Sequence, residues 1–138
     1  MSIKCVLKKY TQEDIAAMPV IHGIKLCPTG DYTAIEVFPE YCSFAKYCSF
    51  AKGCNFAEGC SFAEGCSICG HLMLDSFVRS HSGLGEYKRT LYVWCTKDGW
   101  FCQTGCFFDT EEVFIEAVTK KYSANHKYIK ALELLKED

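Results

Sequence analysis

Residues 41–70 read YCSFAKYCSFAKGCNFAEGCSFAEGCSICG, a phrase of six residues that recurs with little variation. A bulky apolar residue opens each phrase, at Phe38, Phe44, Phe50, Phe56, Phe62 and Ile68. A cysteine stands four positions after each phenylalanine, at Cys42, Cys48, Cys54, Cys60 and Cys66. A strict repeat of this kind indicates stacked copies of one structural unit.

The period of six resembles that of hexapeptide-repeat proteins, which fold into left-handed β-helices. In that family three six-residue units form one triangular coil, in which the first residue points inward and a small fifth residue fills the space beside it. The resemblance implies a short triangular left-handed β-helix of about two coils over residues 38–77. This chain departs from the family in using phenylalanine where isoleucine, leucine and valine dominate.

Three units of six place residues that are 18 apart directly above one another. This interpretation predicts that Phe44 stacks on Phe62, that cysteines 18 apart stack as well, and that Lys46 pairs with Glu64. Opposite charges on neighbouring strands stabilise a sheet slightly. Two coils also leave open edges. The N-terminal strand and the C-terminal hairpin are the predicted caps, and pairing with another copy of the chain is the alternative.

The residues before the repeat, 1–37, read as the start of an ordinary α/β unit. Branched and aromatic residues give strand character to residues 3–10 and 32–38. Thr11 followed by Asp14 matches a capping box and predicts a short helix over residues 11–18.

Residues 84–138 form a third region. Two apolar runs flank Asp98-Gly99, a strong tight-turn signal that predicts a β-hairpin. Asp109 or Thr110 then caps one helix, and a second helix follows from His126. Residues 78–87 read as a loop. The predicted fold class is therefore α+β, with a short β-helix, a hairpin and two C-terminal helices in one compact unit.

The C-terminal region resembles a module of uncharacterised phage and prophage proteins, which often carry a cysteine-rich hexapeptide repeat as well. The residues that carry the resemblance are Trp100, Gly105, Cys106, Phe107, Phe108, Thr110, Glu112 and Phe114. Asp109 stands where those proteins usually have glycine. Together the two resemblances cover more than half of the chain and imply a mobile-element origin.

Charge and cysteine content restrict the function. A formal net charge of -2 argues against a general nucleic-acid binder and against a DNA mimic. The sequence shows no export signal and no apolar run of about 18 residues, so we expect no membrane span. Eleven cysteines without an export signal indicate a reducing compartment with free thiols. We therefore expect the chain in the cytoplasm of a bacterial host.

Most of the repeat cysteines need no chemistry, because a narrow coil requires a small apolar filler beside each phenylalanine. The CxxC of Cys66 and Cys69 differs, since such a pair is the usual half of a structural zinc site. The candidate zinc ligands are Cys66, Cys69, Cys102 and Cys106, with His22, His81 and Cys27 as further candidates. Zinc bound there would connect the repeat to the hairpin, and no other cofactor is expected.

Three functions remain open. The first is a non-enzymatic phage-type protein that binds and blocks a host protein, most concretely an anti-CRISPR or another inhibitor of a defence system. The second is a self-assembling structural module that uses the ends of the coil. The third is a small hexapeptide-type acyltransferase, with His71 or His81 as base, or a thiol enzyme.

No residue is assigned a catalytic role in the preferred interpretation. The candidate binding residues are Lys46, Lys52, Glu58, Glu64, Lys88 and Arg89. The first four occupy the predicted turns of the repeat. The last two belong to a basic surface that includes the C-terminal helices, where contact with phosphates is an alternative to simple solvation.

Overall fold

A computed structural model describes residues 7–84 and 88–137. Its helices are α1 (Gln12–Ala16), α2 (Glu111–Lys121) and α3 (Lys127–Lys136). The strands up to the end of the repeat are β1 (Val20–Ile21), β2 (Ile24–Cys27), β3 (Val37–Phe38), β4 (Cys42–Phe44), β5 (Ser49–Phe50), β6 (Asn55–Phe56), β7 (Ser61–Phe62), β8 (Ser67–Ile68) and β9 (His71–Leu72). The later strands are β10 (Arg79–Leu84), β11 (Arg89–Thr96), β12 (Gly99–Thr104) and β13 (Phe107–Thr110). The fold is mixed α+β, as the sequence predicts.

Successive strands of the repeat join three parallel ladders in rotation. β3 pairs with β6, β4 with β7 and β5 with β8. In each pair the opposed residues are 18 apart, as Phe44 and Phe62 are. The chain therefore makes one turn every three phrases, and the predicted stacking is confirmed. The predicted ion pair is confirmed as well, with Lys46 Nζ 3.0 Å from Glu64 Oε1.

The coil begins before the phenylalanine repeat. β2 pairs in parallel with β4, which places Cys27 opposite Phe44, and Asp31 forms a parallel bridge with Ser49. The predicted strand over residues 32–38 is wrong except for β3. The Asp31 carboxylate accepts hydrogen bonds from the amide and hydroxyl of Thr33, which turns the chain there.

An aromatic column fills the interior of the coil. Rings in successive phrases meet edge to face, as Phe38 and Phe44 do at 5.4 Å and 87°. Rings that are 18 residues apart lie nearly parallel, with Phe38 and Phe56 at 4.6 Å and 6° and Phe44 and Phe62 at 5.5 Å and 9°. Each such pair adds about 0.5–1.5 kcal/mol beyond area burial. Phenylalanine therefore supplies a contact geometry that aliphatic residues lack.

Two-residue turns join the strands of the repeat, and their second residue has a positive φ. Tyr41 (55°) and Tyr47 (64°) occupy this position in the first two turns, while Gly53 (82°), Gly59 (78°) and Gly65 (82°) occupy it in the later ones. The Tyr41 ring lies where a β-carbon of Gly59 would stand, and the Tyr47 ring lies likewise against Gly65. Open space surrounds the same position at Gly53.

Helix α1 covers the N-terminal end of the coil. The predicted capping box is confirmed, because Thr11 and Asp14 exchange hydrogen bonds between side chain and backbone. Ile15 is buried in the core that the coil encloses. Lys25 Nζ donates to the carbonyl of Ile15 at 2.9 Å and to that of Ala16 at 3.1 Å, where a cation stabilises the end of a helix.

The predicted strand over residues 3–10 is wrong where it can be compared with the structure. Residues 3–6 lie outside the described residues, and within 7–10 only Lys9 pairs, in an isolated bridge with Asp31. Tyr10 instead stacks on Tyr32, with ring centroids 5.0 Å apart. The segment therefore contributes to the N-terminal cover through its ring and through this single bridge.

Four antiparallel strands, in the order β10-β11-β12-β13, cover the other end of the coil. The predicted hairpin is confirmed, with Thr96 opposite Gly99. Trp94 meets Phe56 from this sheet at 5.5 Å. The predicted loop at residues 78–87 is wrong over β10, because that segment pairs with β11; residues 85–87 lie outside the described part. The predicted C-terminal helices, α2 and α3, form and pack on the opposite side of the sheet.

At the end of the coil that the C-terminal sheet covers, the last strand of each ladder has hydrogen-bond partners for its backbone. β9 pairs with β8, and the Phe62 amide donates to the Ser76 carbonyl at 2.9 Å. On the third ladder the Tyr92 hydroxyl accepts from the Phe56 amide and donates to its carbonyl, both at 3.2 Å. Gln103 Nε2 donates to the Cys54 carbonyl at 2.6 Å. The C-terminal end of the coil, one of the two through which assembly was predicted, is thus covered by described residues.

Candidate binding face

The outer side of one sheet, formed by β1, β2, β4 and β7, carries several exposed apolar side chains. Side chains alternate between the two sides of a strand. The inward residues here are Cys27, Phe44 and Phe62, and the outward ones in register are Leu26, Ser43 and Ser61. The two serines therefore form a floor of small side chains across the middle of the sheet.

Apolar side chains border this floor on two sides. Leu26 is 41% exposed, and Ile24, two residues earlier on the same side of β2, is 45% exposed. Ile21 faces Ile24 across the β1–β2 turn and is 51% exposed. Beyond β7, Phe77 forms a bridge with Ser61 and is also 51% exposed. We call the set Ile21, Ile24, Leu26, Ser43, Ser61 and Phe77 the apolar face.

A cleft of about 420 Å³ adjoins Leu26 at one edge of the apolar face. Its lining is almost entirely apolar and comprises Pro19, Leu26, Cys27, Pro28, Ser43 and Ala45. Two proline rings and a backbone already paired in the coil form its walls. The cleft is thus a rigid extension of the apolar face.

The two turns that flank the apolar face carry tyrosines and charges. Tyr41 and Tyr47 are 45% and 59% exposed. The Tyr41 hydroxyl donates to Glu58 Oε1 at 3.2 Å. That hydrogen bond, together with the charges of Glu58 and Glu40, raises the pKa of Tyr41. At the other turn the charges of Lys46 and Glu64 neutralise each other.

The structure does not bring the six predicted binding residues together. Glu58, Lys46 and Glu64 lie on the turns that border the apolar face. Lys52 lies on the third turn, between β5 and β6, and faces away from it. Lys88 and Arg89 lie at the start of β11 in the C-terminal sheet, where the Arg89 guanidinium packs against Gly105.

Sequence reasoning missed the apolar residues themselves. A signal was present in residues 20–26, where branched residues stand on both sides of His22-Gly23, a tight-turn pair with φ of 51° and 81°. Such a pattern predicts an exposed hairpin as well as a buried one. Only the packing of the whole chain decides which side of the hairpin is covered.

The predicted zinc ligands are distributed over two cores and the surface. Cys66 is buried inside the coil, whereas Cys102 is buried between the C-terminal sheet and its helices. Cys69 and Cys106 are exposed. Among the described residues, no group of three or more histidine, cysteine or acidic side chains could hold a metal. Zinc binding stays a prediction that metal analysis has to decide.

The histidines and the remaining candidate ligand are dispersed in the same way. His71 Nδ1 lies 2.8 Å from Asp98 Oδ2, and its ring stacks on Phe101 at 4.2 Å. His81 Nδ1 contacts the neighbouring Ser82 carbonyl at 3.0 Å. His22 occupies the β1–β2 turn, while Cys27 is buried within the coil. These four candidate residues therefore do not converge on one site.

The environment of the repeat thiols disfavours their reactive form. Hydrogen bonding to Cys42 and burial raise the pKa of Cys60, and hydrogen bonding to Cys66 and burial raise that of Cys48. Burial raises the pKa of Cys54 to about 12. Cys66 is the exception, because its hydrogen bond with the Cys48 thiol outweighs burial and lowers the pKa of Cys66 to about 7. The thiolate is the form of cysteine that acts as a nucleophile or metal ligand, so most of the repeat cysteines are chemically inert.

Comparisons with known proteins leave the function to be argued from these residues. No family model, curated protein or solved structure matches the chain. Among the described residues no helix is long and apolar enough to cross a membrane. The apolar face is the feature that most needs a functional explanation, because large exposed apolar patches usually mark interaction sites.

Proposed function

We propose that the chain is a non-enzymatic binding protein of the phage or prophage type, which acts in the cytoplasm of a bacterial host. It covers a surface of a host protein and thereby blocks that protein. The most concrete version is an inhibitor of a defence system such as CRISPR-Cas. The observation that carries the proposal is the apolar face, whose four large side chains are each 41–51% exposed.

The apolar face is costly for a protein that has no partner. Burying apolar surface contributes about 25 cal/mol per Å². In the isolated chain, this stabilisation is missing for the exposed parts of four side chains, those of Ile21, Ile24, Leu26 and Phe77. They nevertheless lie side by side on one sheet whose other side packs on the aromatic column. That arrangement gives a partner a pre-organised surface, which lowers the ordering cost of binding.

We also propose that the coil is a triangular left-handed β-helix of the hexapeptide type. The common 18-residue offset of its three ladders supports this, as do turns whose second residue has a positive φ. A crystal structure would test the handedness directly. A right-handed coil would contradict the proposal and leave the binding function untouched.

Phage plating tests the binding function. The chain is expressed in bacteria whose CRISPR-Cas system targets an infecting phage, with a panel of system types. We expect the chain to restore plaque formation against at least one system, and Leu26→Glu or Phe77→Ser to abolish the effect. Leu134→Ser is the matched control, because Leu134 is 60% exposed on α3. Restoration by all variants alike, or by none of the proteins including the wild type, would contradict the proposal.

Self-assembly is a second candidate, and one observation favours it. Strand β1 lies at the end of its sheet with Val20 57% and Ile21 51% exposed, and an exposed apolar edge strand can pair with another copy. Light scattering over a concentration series distinguishes the two functions. A stable oligomer that Val20→Lys dissociates would favour assembly, and a monomer at all concentrations would favour the binding protein.

A further inference from the structure

We infer that the apolar face takes an amphipathic α-helix of a partner protein, with basic residues at the end that lies over Glu40 and Glu58. This inference rests on the proposed function, because it names the kind of partner that the same surface fits. It is carried by the width of the serine floor, by the apolar rows that border the floor and by the uneven charge of the two flanking turns.

The dimensions of the floor suit a helix. Leu26, Ser43, Ser61 and Phe77 follow one another across neighbouring strands, so three strand spacings separate the outer two. At about 4.8 Å each, this separation is about 14 Å. An α-helix with its side chains is about 10–12 Å wide. A helix parallel to the strands therefore fits between the two apolar rows and meets only small side chains beneath it.

The bordering rows offer what an amphipathic helix needs on both flanks. Leu26 and Ile24 contact one side of such a helix, and Phe77 contacts the other. The cleft beside Leu26 can receive a larger side chain from the helix. Recognition of this kind uses apolar residues at positions i, i+3, i+4 and i+7. An added β-strand, by contrast, would pair at β1 and leave the serine floor open.

The flanking turns differ in charge. Glu40 and Glu58 occupy the first position of stacked turns, and both act on the Tyr41 hydroxyl between them. None of the ion pairs formed by the described residues includes either carboxylate. The opposite turn is neutral, since Lys46 pairs with Glu64. Both carboxylates are exposed, so a basic residue of a partner can pair with them.

The first test identifies which segments bind. A display library of 18-residue segments, one half patterned as amphipathic helices and the other as alternating strands, is selected against the full chain. Binders that also recognise Leu26→Glu are removed. We expect the enriched segments to have helical spacing of apolar residues and lysine or arginine gathered at one end. Enrichment of alternating or acidic segments, or no enrichment at all, would overturn the inference.

The second test concerns the acidic turn. The affinity of an enriched peptide is measured against Glu40→Gln/Glu58→Gln, with Glu116→Gln on exposed α2 as the control. We expect the double variant to bind about 5–10 times more weakly and to lose most of the salt dependence seen between about 50 and 500 mM salt. An unchanged affinity and salt dependence would refute the basic end of the partner helix.

The two proposals fail in different ways. If Leu26→Glu abolishes the effect on plaque formation while no helical segment is enriched, the binding function stands and the helix is wrong. If the chain forms a dimer that Leu26→Glu dissociates, a second copy occupies the apolar face and the inference is overturned. If helical segments bind but no defence system is affected, the recognition stands and the inhibitor function is wrong.

Discussion

Three glycine-to-alanine substitutions at equivalent turns test the register of the coil. Gly53, Gly59 and Gly65 have nearly the same positive φ, between 78° and 82°. They differ in what a new β-carbon would meet. At Gly53 nothing lies within 4 Å, while the ring of Tyr41 occupies the position of the new β-carbon at Gly59 and the ring of Tyr47 occupies it at Gly65.

The two contributions can be separated. An L-residue in the left-handed region loses about 1–2 kcal/mol, and this loss applies to all three sites. Gly59→Ala and Gly65→Ala must also displace a tyrosine ring, and crowding of this kind costs about 1–3 kcal/mol in well-packed sites. Because both tyrosines are about half exposed and can move outward, we expect the lower end, about 1 kcal/mol more than for Gly53→Ala.

Guanidinium unfolding of the three variants measures the difference. Gly53→Ala should lose about 1–2 kcal/mol, and the other two about 2–3 kcal/mol. In a Tyr41→Ser background, the loss of unfolding free energy caused by Gly59→Ala should fall to that of Gly53→Ala, because the tyrosine ring is absent. Equal losses at all three glycines, or no effect of Tyr41→Ser, would refute the stacking of residues 18 apart at these turns.

Four further outcomes are expected. Phe50→Ala should lose about 3–5 kcal/mol of unfolding free energy, and Phe77→Ala, whose ring is 51% exposed, about 1–2 kcal/mol; similar losses would contradict the aromatic column. In native protein near pH 8, iodoacetamide should modify exposed Cys69 and Cys106 well before the repeat cysteines. Early labelling of the repeat cysteines would show that their thiols are not protected. Arg79→Met should lose about 3 kcal/mol of unfolding free energy and speed amide exchange in α3. The reason is that the guanidinium pairs with an aspartate and donates to two carbonyls at the end of that helix. Unchanged amide exchange would refute this link. EDTA should leave the unfolding temperature unchanged, because the predicted zinc ligands are not brought together, and a clear decrease would restore the zinc site.

The parts of the fold that the sequence predicts depend on local or periodic signals. The period of six determines which residues lie 18 apart, so the contacts of Phe44 with Phe62 and of Lys46 with Glu64 follow without further information. The capping box of α1 and the turn at Asp98-Gly99 are equally local. In each case a few neighbouring residues suffice to specify the geometry.

The parts that the sequence does not predict depend on distant partners. Residues 24–37 lack the repeat, yet they enter the coil because Cys27 and Asp31 meet strands that follow later in the chain. β10 forms because β11 is available beside it. Four of the six predicted binding residues were charged turn positions, and the other two belonged to the basic C-terminal surface. The apolar face is apparent only when the covered side of each sheet is known, and that is a property of the whole chain.

Different segments of the chain build the core and the proposed recognition surface, and this separation determines which residues can set the specificity of binding. Inside the coil, the repeat places phenylalanine and cysteine in identical environments, and most of these side chains have no access to a partner. On the outer side, the same repeat places Ser43 and Ser61, whose small side chains form a flat floor that does little to distinguish one partner from another. The apolar rows come from segments that flank the repeat, Leu26 from the hairpin before it and Phe77 from the segment between β9 and β10. A change of partner would therefore require substitutions in the flanking segments rather than in the repeat, so the repeat is free to remain uniform while the recognition surface changes.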